Sequence, residues 1–174
     1  MCVRLAARRS KVMRNGVAAL SVGLLVASPA HAACPMELSV YGDRDKAAEI
    51  DFMPRGEAAA VTNRFRMVFG EAMVLDGIVM WSEDVARPNG LLTHKCPEGD
   101  VTGEEIAACT VWEGVIYTSD KSGKIGLLPA DGSAAPEKLI FPDLAYSLRH
   151  SAVFGEAGFS KLPWDVFQLQ GCQE

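Results

Sequence analysis

The sequence predicts a mainly β fold, a single small antiparallel β-sandwich or partly open barrel with one or two short helices. Three observations point there. Val61 to Phe69 alternate with period two: Val61, Asn63, Phe65, Met67 and Phe69 share one side, and Thr62, Arg64, Arg66 and Val68 share the other. That is the pattern of a half-buried strand. The other apolar runs are short and are separated by Gly, Pro, Asp and Asn, the residues of turns. The gaps between runs are too short for the crossover helices that a parallel sheet requires.

The elements follow in order. Leu38 to Tyr41 form a first strand, ended by Gly42-Asp43. Ala48 to Met53 form a second, ended by Pro54. After Val61 to Phe69, Gly70-Glu71 separates that strand from Ala72 to Trp81. A two-residue gap with Gly first suits a II′ hairpin. Asp76-Gly77 marks a bend or bulge in the second arm.

Residues 83–108 change character. They are polar, contain Pro88-Asn89-Gly90 and Pro97-Glu98-Gly99, and read as a long excursion. Within it, Thr102-Gly103-Glu104-Glu105 has the spacing of a capping box opening a brief helix. Strands return at Thr110 to Thr118, Lys124 to Leu128 and Lys138 to Phe141. Asp143 is placed to cap a helix from Leu144 to Val153, and Val166 to Leu169 form a last strand.

Residues 1–32 read as a cleaved secretory signal peptide. Arg4, Arg8, Arg9, Lys11 and Arg14 make a basic start, Val17 to Ala27 an apolar stretch, and Ala30-His31-Ala32 a small-residue cleavage site. The apolar stretch is well short of the ~20 residues a membrane span needs, so no span is expected after cleavage. Met13 opens a shorter segment with the same three zones. The Arg8-Arg9 pair is followed by Ser10-Lys11, not by the apolar residues a twin-arginine route wants, and His31 stands where a lipidation signal before Cys34 would carry Leu. The expected location is periplasmic or secreted.

Cleavage leaves residues 33–174, one disulfide-stabilised domain. The leader holds five of the 17 basic residues and none of the 22 acidic ones, so the remainder carries 12 basic residues and a net charge of −10. Such a surface repels nucleic acid and anionic membranes. Four cysteines remain: Cys34, Cys96, Cys109 and Cys172. In an oxidising compartment an even count reads as two disulfides. Of the three connectivities, Cys34–Cys172 with Cys96–Cys109 ties the termini together and closes a short acidic loop.

Chemistry is sparse. His94, Cys96 and Cys109 lack the paired spacings of a zinc site. Glu98, Asp100, Glu104 and Glu105 lack the spacing of a calcium loop. His150 lies near Ser147 and Ser151, without a nucleophile-elbow motif. Ser122-Gly123-Lys124 lacks the spaced glycines of a phosphate loop. Trp81, Trp112 and Trp164 read mainly as core. No catalytic, metal or cofactor set is expected. The expected role is a non-enzymatic binding or envelope-associated protein that recognises a protein, an envelope component or a small ligand. Its binding loop would carry His94, Glu98, Asp100, Glu104 and Glu105, because binding residues concentrate on loops held by a rigid scaffold. The alternative is a small secreted hydrolase using His94 or His150.

Overall fold

Among the described residues ten strands follow one another: β1 Ser39–Asp43, β2 Glu49–Met53, β3 Val61–Phe69, β4 Met73–Ser82, β5 Arg87–Thr93, β6 Thr110–Val115, β7 Tyr117–Ser119, β8 Ile125–Leu127, β9 Lys138–Ile140 and β10 Val166–Cys172. Two short helices, α1 Gly103–Cys109 and α2 Leu144–His150, interrupt them. This computed structural model describes residues 34–173 apart from 58, 72, 84, 157 and 158. The leader expected over residues 1–32 lies outside the described residues.

All ten strands join one antiparallel sheet in the order β6-β5-β4-β3-β2-β1-β10-β9-β7-β8. β6 and β7 are two halves of one segment, split only at the fully buried Ile116. The first half pairs with β5, and the second pairs with β9 through Tyr117–Ile140, Thr118–Leu139 and Ser119–Lys138. The sheet thereby returns on itself as a nearly closed barrel, with β8 added along the other side of β7. Of the two architectures the alternation allows, the barrel is the one adopted.

The barrel is filled by its own side chains. Asn63, Phe65, Met67 and Phe69 point inward from β3, while Arg64 and Arg66 point out. Phe52 lies 5.2 Å from Phe65, Phe65 lies 5.9 Å from Phe141, and Phe141 lies 5.6 Å from Phe167 and 5.1 Å from Trp112. This chain of rings crosses the interior. Each fully buried aromatic contributes about 1.5–3 kcal/mol of transfer free energy. A small barrel packed this way holds side chains where larger ones hold ligand, so binding chemistry belongs outside or at the mouths.

Loops close the two ends. Where β3 begins, residues 129–137 are tied down by Asn63, whose Nδ2 donates to the Pro129 carbonyl at 3.0 Å and to Asp131 Oδ1 at 3.2 Å. Glu37 accepts the Gly132 N–H at 2.6 Å, and the Tyr41 hydroxyl donates to the Pro136 carbonyl at 2.9 Å. Where β3 finishes, Phe159 packs on Phe69 with centroids 4.5 Å apart. Trp112 Nε1 donates to the Pro142 carbonyl at 2.9 Å, just ahead of α2. Cys34–Cys172 and Cys96–Cys109 are both disulfide-bonded.

Four local expectations are corrected. The polar excursion is shorter than residues 83–108, because Arg87–Thr93 is β5, paired with β4 and β6. Pro88-Asn89-Gly90 runs extended. A methyl on Gly90 would stand 2.8 Å from Ile116 Cδ1, so glycine here makes room for Ile116 and the Trp112 ring. Gly77 likewise does not break β4; it lies under the ring of Phe65. Phe69 pairs with Met73, so three residues, not two, join β3 to β4. Asp143 makes no capping hydrogen bond, and α2 ends at His150.

Candidate functional site

The excursion that remains, residues 94–109, is held at its base three times. The His94 N–H donates to the Cys109 carbonyl at 2.9 Å, continuing the β5–β6 ladder. Cys96–Cys109 closes the loop covalently. The His94 ring, 14% exposed, lies against Glu156 of the segment that follows α2, with Nε2 3.6 Å from Glu156 Oε2. Inside the loop, α1 opens on a complete capping box. Thr102 Oγ1 accepts the Glu105 N–H at 3.3 Å, and Glu105 accepts the Thr102 N–H at 2.8 Å. The bonds from the Thr102 backbone and hydroxyl hold the Glu105 carboxyl below the usual carboxylate range.

The five expected loop residues therefore divide. Glu105 is a structural cap and His94 an anchor at the base. Glu98, Asp100 and Glu104 are exposed, and none makes an ion pair or side-chain hydrogen bond among the described residues. α1 contributes no buried side chain, so the loop stands off the barrel. No group of three or more His, Cys, Asp or Glu side chains is arranged to hold a metal ion among the described residues.

The second histidine is elsewhere. His150 Nδ1 lies 2.8 Å from the Tyr146 carbonyl, and its ring stacks on Tyr146 at 4.2 Å. Among the described residues, no serine, threonine or cysteine hydrogen-bonds either imidazole.

Two depressions escaped the sequence. One, of about 740 Å³, lies on the outer face where Gly42 leaves a gap between Glu49 of β2 and Gln168 of β10, with Arg44 and Lys46 at its rim. Beside it the Arg44 guanidinium sits 3.5 Å over the Trp164 ring, and Trp164 Nε1 donates to Asp45 Oδ2 at 2.7 Å. The other, of about 580 Å³, lies between Trp112, Glu113, Pro142 and Tyr146. Its Glu113 is already bonded to Asn89 Nδ2 at 2.8 Å. Both join residues far apart in sequence, and neither has a local motif. Trp112 is core, but Trp81 and Trp164 are about half exposed, against the expectation for all three.

Fold and loop together define a disulfide-bonded, mainly β barrel with one covalently closed acidic excursion. Comparison with family models, with curated proteins and with solved structures gives no match. Two disulfides, and no helix among the described residues long and apolar enough to cross a membrane, are compatible with a periplasmic or extracellular location.

Proposed function

We propose that this chain is an exported, non-enzymatic binding domain of the periplasm or extracellular space, and that residues 94–109 present its partner surface. One observation carries the reading. Glu98, Asp100 and Glu104 are exposed and unengaged, on a loop whose ends are fixed by a disulfide and a strand ladder. A loop closed in this way has less conformational freedom to lose on binding. Its carboxylates favour a cationic partner, a basic protein segment or a basic envelope component, and would steer its approach in a salt-dependent way.

The hydrolase alternative has less support. His94 is committed to the loop base and His150 to its own helix, and among the described residues neither has a hydroxyl or thiol nucleophile bonded to it.

The test is capture from envelope extracts by the immobilised domain. The variant E98Q/D100N/E104Q keeps the capping box and the disulfide, so it is expected to fold like the parent and to lose capture. Added salt should weaken capture by the parent. Equal capture by parent and variant would refute the assignment.

A further inference from the structure

The contact between His94 and Glu156 joins two parts of the molecule that the sequence keeps far apart: the base of the closed loop and the segment after α2. Its geometry is unusual in one respect. His94 Nε2 is shut off from solvent and has no hydrogen-bond partner among the described residues, and a Glu156 carboxylate oxygen lies 3.6 Å from it. A buried ring nitrogen without a partner is costly. With the imidazole neutral, neither tautomer repairs this. A proton on Nδ1 turns the Nε2 lone pair toward a carboxylate, and a proton on Nε2 faces an oxygen beyond hydrogen-bond range. The imidazolium instead sets an opposite charge against the carboxylate at that distance, an attraction that needs no hydrogen bond.

We propose that His94 and Glu156 form a pH-responsive latch, in which protonation of His94 clamps loop 94–109 to the segment after α2. Imidazole is the side chain whose ordinary titration falls between about pH 5 and 8. Protonation adds the attraction and deprotonation removes it, so acid tightens the latch and base slackens it. Among the described residues the other charged group within ion-pair distance of Glu156 is Lys95, whose Nζ lies 3.7 Å from the same oxygen and whose side chain is largely exposed. Arg149, on the neighbouring helix, is turned onto the Phe154 ring. The Lys95 contact supplies a background attraction for Glu156, and protonation of His94 supplies the change. The latch acts on the conformation of the loop and operates whatever the loop binds.

Native-state hydrogen exchange of the full domain tests it, reading the amides of His94, Glu105 and Ile106, which are bonded within the loop. After correction for intrinsic rates, their protection in the parent is expected to rise roughly three- to tenfold between about pH 7.5 and pH 5.5. E156Q, at a half-exposed site, and H94Q should both flatten that rise. H150Q should leave it intact, since His150 faces Tyr146 instead. A flat profile in the parent, or an unchanged rise in E156Q, would overturn the latch. Capture by the loop in the preceding test can succeed or fail without affecting this result.

Discussion

The ring of Phe65 lies directly over Gly77, its register partner across β3 and β4, and leaves no room there for a Cβ. The fully buried Phe65 is one of the rings that cross the barrel. G77A is therefore expected to cost about 1–3 kcal/mol through overpacking. Urea denaturation measures this. Adding F65L should recover part of the loss, a coupling of about 0.5 kcal/mol or more between contacting residues. A neutral G77A would contradict this packing.

The two disulfides should differ in what they hold. Cys34–Cys172 spans 138 residues and joins both ends of the domain, whereas Cys96–Cys109 spans 13 and closes a loop with no buried helix side chain. Chain-entropy estimates are about 4.7 kcal/mol for loops near 100 residues and about 3 for loops near 15. C34A/C172A is expected to lower global stability more than C96A/C109A. The second pair should chiefly raise hydrogen exchange within residues 94–109. The reverse order in denaturant melts would contradict the peripheral placement of the loop.

Two carboxylates should respond to acid in opposite directions. The hydrogen bond from the Gly132 N–H holds the Glu37 carboxyl below its usual range. A group with a lowered folded pKa adds stability that is present above the unfolded value and lost as pH falls through the folded one. E37Q should therefore melt lower than the parent near pH 7 and converge with it near pH 3. Burial raises the Asp51 carboxyl despite Arg66 nearby. Its contribution is present below the unfolded value and lost as pH rises through the raised one. D51N should equal or exceed the parent's melting temperature near pH 7 and lose that advantage in acid. Parallel pH profiles for both variants would contradict these environments.

Asn63 is fully buried, and its Nδ2 supplies two of the bonds that fasten residues 129–131 over one mouth of the barrel, beside the Arg55 N–H that donates to Asp131 Oδ2 at 3.0 Å. N63A removes the donor to the Pro129 carbonyl and to Asp131 Oδ1, while Asp131 Oδ2 keeps the Arg55 N–H. The expected cost is about 1–3 kcal/mol, with faster exchange across residues 129–137. Exchange that stays as slow as in the parent would show that the other ties hold the loop alone.

What was legible in the sequence was local. β3 could be read to the residue because its alternation is set by which side chains face water. The α1 capping box could be read because all its partners lie within four residues. The choice between sandwich and barrel was not legible, since it depends on residues 117–119 pairing with 138–140. Gly77 and Gly90 misled for a related reason. Glycine marks a turn and glycine makes room for a ring, and the ring arrives from another strand. Of the loop, its acids and disulfide partners were visible in advance, but the boundary at Thr93 and the His94–Glu156 contact were not, because both are made by segments distant in sequence.

The proposal that this barrel is an exported, disulfide-closed domain is tested most directly by the intact mass of protein recovered from the cell envelope fraction. The expected species begins at Ala33, carries no lipid, and has all four remaining cysteines, Cys34, Cys96, Cys109 and Cys172, in two disulfides. A species that begins at Met1, or that carries four free thiols, would contradict it.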